Sequence, residues 1–334
     1  MRRYLTILSL CLVMLITGCS MPVPQTEDTE AAISVVTTIF PPYDFVCEIT
    51  RGAEHVTVHQ LLKPGMESHT FDPTPADILA VQNCDLFIYT GGESDAWVQT
   101  LLEASPGAED RAIRMIDLVE AAEEDHIEGS THRHNHDHAH EDGEPEHDAP
   151  DSDHVEYDEH VWTDPYNAMR ITEALSAAIC ALDPSQAALY QTNTDAYLES
   201  LAVLDETLHE ITAHAVHRTL VFGDRFPMRY LCDAYDIGYR AAFPGCAAES
   251  EPSAATMIFL IEKIKEENIP AVLTIEMSNG KIARAISEET GAGILSMHSC
   301  HNRTADEAAA GKTYLDLMYE NARVLRLALG QRKE

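Results

Sequence analysis

An alternation that occurs twice along the chain limits the fold most. Short apolar or β-branched runs at 33–39, 55–62, 85–89 and 112–116 are separated by segments of helix length. The same pattern returns with runs at 219–222, 237–243, 271–275 and 294–297. Helices are expected after Pro41-Pro42 to Arg51, from Thr74 as N-cap with Pro75 behind it, over 96–102, 225–233, 253–267, 281–289 and 313–329. Strands alternating with helices at this spacing indicate parallel sheets. Between the two halves, 165–182 reads as a helix, and 183–215 as a second of about 30 residues, roughly 45 Å at 1.5 Å per residue. The expectation is an α/β chain with two Rossmann-like α/β lobes joined by one long rigid helix: an N-terminal lobe at 33–182, a linking helix at 183–215 and a C-terminal lobe at 216–334. In open α/β sheets, ligands sit at the carboxyl ends of strands. That directs attention to the loops beginning at Leu62, Phe222, Phe243, Ile275 and Met297.

One segment breaks the pattern. Between Glu123 and His160 the chain has fifteen acidic residues and a single base, Arg133. His132, His134, His136, His138 and His140 alternate with other residues inside it. With almost no large apolar residue before Val155, it cannot bury enough surface to offset its ordering entropy. The expectation is a disordered loop, 121–157, that collects additional metal ions weakly; a solvated spacer that tolerates histidine is the competing reading.

The net charge of -34 argues against nucleic acid, whose phosphates would be repelled, and suits a protein that attracts cations. Hydrophobic content of 45% is that of a globular chain. The N-terminus reads as an export signal: Arg2 and Arg3, an apolar run from 5 to 16, then Ile16-Thr17-Gly18-Cys19. The run is short for a membrane span. A cysteine after these small residues matches a bacterial lipobox, so 1–18 is expected to be a signal peptide and Cys19 a lipidation site. The polar stretch 19–32 would be the tether holding the protein at the outer face of the bacterial cell membrane. Of the eight cysteines, none forms a CxxC, which disfavours a zinc ribbon or thioredoxin-type site.

Histidines and carboxylates fall at the strand ends. His69 lies in the loop KPGMESHTFDP. His160 follows Asp158 and Glu159, and a nearby carboxylate such as Asp158 can orient a ligating imidazole. His298 and His301 bracket Ser299-Cys300 after the last strand, a metal-type spacing. Glu276 ends an apolar strand and reads as a supporting or salt-bridging residue before a ligand. Cys246 and Cys300 both sit at strand ends, where a disulfide and two free thiols are equally open readings. Signals of catalysis are absent: no GxSxG, HExxH, GxxxxGK[ST] or Gly-rich dinucleotide turn occurs. The chain is therefore expected not to be an enzyme.

Taken as a set, ISVVTTIFPPYDF, LLKPGMESHTFDPTPADI, DLFIYTGGESDAWV, EHVWTDPYNA, DPSQAALYQTN, VLTIE and TYLDLM resemble the zinc/manganese solute-binding lipoproteins of bacterial ABC importers, cluster A-I. The likeness covers nearly the whole mature chain. It implies a metal held in a cleft between the lobes and delivery to an ABC permease with its ATPase; one Zn²⁺ per chain and a monomer are expected. Carried over by motif, it implies His69 and His160 as the N-lobe ligands and His301 as the last ligand. The family's usual His-x-Ala-Phe after the first C-lobe strand reads Gly223-Asp224-Arg225-Phe226 here, so a histidine is missing. His298 is the reserve for the last ligand, and Asp224 could partly substitute for the missing histidine. Imidazole-rich donors favour zinc, with manganese or iron as the alternative cargo. A zinc-dependent hydrolase and a surface adhesin or zinc buffer in cell adhesion are the rival classes.

Overall fold

The computed structural model describes residues 33–67, 71–124, 157–245 and 251–331. The signal, tether, lipobox cysteine and histidine-rich segment therefore lie outside the described residues, as do His69 and Cys246.

Two four-stranded parallel sheets organise the chain. The first contains β1 (Ile33–Thr37), β2 (Val56–Gln60), β3 (Leu86–Tyr89) and β4 (Ala112–Arg114) in the order β2-β1-β3-β4. Its helices are α1 (Phe40–Ile49), α2 (Pro75–Asn83) and α3 (Val98–Ala104). Then come α4 (Pro165–Leu182) and the long α5 (Ala187–Ala213). The second sheet, β5 (Thr219–Arg225), β6 (Gly238–Phe243), β7 (Ala271–Ile275) and β8 (Gly293–Met297), repeats the order as β6-β5-β7-β8. It carries α6 (Arg229–Ala234), α7 (Ala254–Glu267) and α8 (Lys281–Thr290), followed by α9 (Ala305–Ala309) and α10 (Tyr314–Ala328). Each half is thus the same winding, and the two sets of carboxyl-end loops form the walls of one cleft.

Local chemistry sets the boundaries. Thr74 and Asp77 form a reciprocal capping box with Pro75 in the first turn of α2, satisfying donors that a helix start otherwise leaves free. Ser253 caps α7 through the Thr256 N–H at 3.0 Å. On α5, Tyr190, Tyr197, Leu201, Leu204, Leu208 and Ile211 are buried, steps of three, four and seven that keep one face inward. That face joins a single apolar cluster running from Ile33 to Leu329 and including residues of both sheets. No helix among the described residues is long and apolar enough to cross a membrane.

Three expectations needed adjustment. The strand at 219–222 continues to Arg225, which pairs with Phe243 after an irregularity following Phe222, so the helix expected from 225 begins at Arg229. The long helix starts at Ala187, because Asp183 turns the chain first, accepting hydrogen bonds from Tyr190 (2.8 Å) and Ser185 (2.6 Å). And α9, capped by Thr304 and Glu307, went unanticipated because its apolar face is too short to show a period.

Candidate metal centre

The cleft holds about 420 Å³ of empty space, counted out to open solvent. His160 and His301 both line it, with Glu276 and Arg225 beside them. Their rings stand nearly perpendicular, with centroids 6.1 Å apart.

His160 is the better fixed of the two. It is 3% exposed and opens a short 3-10 turn, Val161–Thr163. One oxygen of Asp158 binds it twice, at 2.8 Å from the backbone N–H and 3.1 Å from Nδ1. A proton on Nδ1 donated to this carboxylate leaves the Nε2 lone pair for a ligand. Burial alone would lower the pKa of this imidazole. The Asp158 charge and hydrogen bond, with Glu159 and Glu124 beyond, outweigh it and raise the pKa above its ordinary value. Asp158 is itself anchored: its N–H donates to Ala122 and its carbonyl accepts from the Tyr230 hydroxyl at 2.7 Å. Glu123 and Tyr157, at the edges of the histidine-rich segment, form an isolated antiparallel bridge.

His301 is held by the C-lobe loop after β8. Its N–H donates to Ser299 Oγ at 3.1 Å, and Ser299 is in turn bound by Glu276 through its N–H (2.8 Å) and its hydroxyl. Cys300 takes a left-handed φ of 60°, which turns the loop sharply between the two. Trp162 packs at 5.5 Å from both His160 and His301, while its Nε1 donates to the Ser299 carbonyl at 2.8 Å. Glu276 therefore supports His301 through Ser299.

The reserve residues are placed differently. Both ring nitrogens of His298 are engaged, Nδ1 accepting from the Cys300 N–H at 2.9 Å and Nε2 meeting Glu307 at 3.2 Å. Neither His298 nor Asp224 is among the residues lining the cleft. Asp224 spends one oxygen on the Arg225 N–H at 3.0 Å, and its other oxygen is buried with no partner among the described residues. Cys300 is a buried free thiol whose pKa is raised well above the usual range by burial, so it is a poor thiolate donor. Its suggested disulfide partner, Cys246, lies outside the described residues, as does His69. Among the described residues no three His, Cys, Asp or Glu side chains form a group able to hold a metal.

Gly223 has no room for a side chain. A Cβ on Gly223 would stand 2.7 Å from Ala283 Cα and 2.8 Å from its nitrogen, inside the backbone of α8. Any side chain there must displace that helix. Gly223→Ala is expected to lower stability by about 1–3 kcal/mol, checked by urea midpoints of the metal-free protein. Gly223→His is expected to cost more without tightening metal binding. Gly245 is similarly confined: a Cβ would meet His160 Cε1 at 3.2 Å, so the loop after β6 passes directly over this ring. Reading the sequence missed Trp162, Ser299, Asn302 and Arg225 as residues of the site. The strand-end positions of the last three were the available signal.

Comparison with known proteins agrees with this architecture. The zinc-binding lipoprotein AdcA of Streptococcus pneumoniae strain TIGR4 is 27% identical over 331 residues, covering 98% of this chain and 61% of the relative, so the chain spans about three fifths of that protein's length. The high-affinity zinc uptake system protein ZnuA of Bacillus subtilis is 27% identical over 301 residues, covering 89% of this chain and 88% of the relative. The crystal structure of the Zn(II)-bound ZnuA-like domain of Streptococcus pneumoniae AdcA has the same fold, with a TM-score of 0.69 at 23% identity over 90% of this chain and 99% of that one. A sequence profile described as zinc-uptake complex component A, periplasmic (ZnuA), matches residues 35–328, which take in both sheets, the long helix and every residue of the cleft described above. The chain belongs to the zinc-uptake complex component A family.

Proposed function

We propose that this chain is an extracytoplasmic receptor that binds one Zn²⁺ in the cleft and passes it to an ABC importer. The observation that carries the reading is His160, a buried imidazole whose Nδ1 is committed to Asp158, facing His301 across the cleft. A pre-oriented imidazole pair in a confined polar cleft suits a borderline ion such as zinc better than a hard one. His69, His160 and His301 are the proposed ligands. Asp224 is the reserve with an unused oxygen. His298, tied to Glu307 and Cys300, is the weaker one. The names of the relatives, a zinc-binding lipoprotein and a zinc uptake protein, support the same cargo.

The proposal extends to the parts outside the described residues. The chain is secreted through 1–18, anchored by lipid on Cys19, tethered by 19–32, and works as a monomer with a permease and its ATPase. The proposed lobes are 33–182 and 216–334, joined by 183–215. His132, His134, His136, His138 and His140 gather additional zinc weakly. No step of chemistry on the cargo is assigned, in keeping with a family of solute-binding receptors.

Titration calorimetry on a variant lacking residues 123–156 tests the cargo. One tightly bound Zn²⁺ per chain, displaced poorly by Mn²⁺, is the expected result. Tighter Mn²⁺ than Zn²⁺ binding would overturn it in favour of a manganese receptor.

A further inference from the structure

Asn302 follows His301, is 2% exposed, and uses its whole side-chain amide. Nδ2 donates to the carbonyls of Lys63 (2.8 Å) and Met66 (2.9 Å), and Oδ1 accepts from Gln60 Nε2 (3.1 Å) and from the Arg303 N–H (2.9 Å). Three of these four bonds cross from the loop after β8 to the end of β2 and the loop that follows it. The segment they grip is a tight turn. The Met66 N–H returns to the Lys63 carbonyl at 3.0 Å, Pro64 and Gly65 are the central residues, and Gly65 has φ 83°. That is the arrangement of a type II turn, which needs glycine at its third position. Asn302 binds the carbonyls of the turn's first and last residues with one NH₂ group. The Gly65 N–H donates to the Arg303 carbonyl at 2.7 Å alongside.

The turn leads straight into the cleft. Met66 and Glu67 line it together with His160 and His301, and Glu67 Oε2 lies 3.5 Å from Arg225 Nη2 at the end of β5. In sequence, Glu67 stands two residues before His69. So the N-lobe loop that carries one proposed ligand is held by a C-lobe amide adjoining another.

We infer that Asn302 is a positioning residue for the cargo site: by docking the 63–66 turn on the His301 loop, it sets the separation of donors from the two lobes. The inference rests on the cleft being the zinc site. A buried amide with every donor and acceptor used is costly to disturb, because each released group loses its partner. Its four bonds also tolerate little shift in register. The ion pair of Arg225 with Glu67 is partly exposed and adds less, as such pairs do.

The test uses two variants with intact proposed ligands. Asn302→Asp keeps the shape and the acceptor side but turns a carboxylate oxygen toward two carbonyls. Gly65→Ala acts from the other lobe: its Cβ would touch nothing within 4 Å, so only the strained φ loosens the turn. Zinc release to a competing chelator and the visible spectrum of the Co²⁺ form are read for each, with thermal melting of the metal-free protein as control. Release is expected to speed up on the order of tenfold or more in both, the range seen when a ligand's support is removed, with a changed Co²⁺ spectrum. Folded variants with wild-type release and spectrum would show a merely structural Asn302 and overturn the inference. Should Asn302→Asp fail to fold, the result for Gly65→Ala decides. If the unsubstituted protein takes up neither metal, the reading of the cleft falls, and this inference with it.

Discussion

Replacing His160 by alanine, in a variant lacking residues 123–156, is expected to weaken zinc binding by on the order of a hundred- to a thousandfold. Apparent free energies of about 10–16 kcal/mol for four-ligand zinc sites imply about 2.5–4 kcal/mol per ligand, and 1.4 kcal/mol is a factor of ten. The effect should sit at the upper end here, because His160 arrives already ordered: its backbone and Nδ1 share one Asp158 oxygen, and Asp158 is tied to Ala122 and Tyr230. A pre-oriented ligand loses little entropy on binding, and its removal forfeits nearly all of its contribution. His69→Ala is expected to behave alike. The shortened chain is needed because clustered histidines would bind zinc weakly and blur the titration. Calorimetry with a competing chelator measures the change. Tight zinc binding unaltered by both substitutions would rule out the cleft as the cargo site.

The architecture was legible because it rests on period and punctuation. The β-branched run before Pro41-Pro42, Thr74-Pro75 as a helix start and Ser253 as a cap each express one local preference, and each element formed within a few residues of its expected bounds. His160 and His301 line one cleft, as the family resemblance implied. What supports them was not legible, because those contacts join distant parts of the chain. Trp162 reaches Ser299 across 137 positions, and Asn302 reaches Lys63 across 239. The absence of a histidine at 223 was plain in the sequence, but the close approach of the α8 backbone to this position needed coordinates. The same holds for His298: its spacing from His301 suits a metal, while its ring nitrogens are taken up by Glu307 and Cys300.

Asparagine at position 44 is expected to stabilise the metal-free protein at alkaline pH and to gain little at acid pH. Asp44, on α1, is buried at the start of α10, where Oδ2 accepts the Tyr314 N–H at 2.9 Å. Burial, helped by Glu48 and Asp316 and opposed by the Tyr314 bond and Arg303, pushes its pKa from 3.8 up to about 7. The folded state therefore holds a proton that the unfolded state releases between those two values. Stability is lost as pH rises through this window, and the full cost is present above about pH 7. At about 1.36 kcal/mol per pKa unit, the advantage of asparagine should grow by about 2–3 kcal/mol between pH 5 and pH 8.5. Asp95, near 7, and Asp164, near 6, act in the same sense, while Asp183, held low by hydrogen bonds from Ser185, Tyr190 and His55 despite its desolvation, acts oppositely. Comparing the Asp44→Asn variant with the parent cancels these shared contributions, since the other groups titrate in both. Urea midpoints at the two pH values measure the difference. The same offset at both would mean that Asp44 is ionised in the fold throughout this range, with the N-terminus of α10 and Arg303 together outweighing its burial.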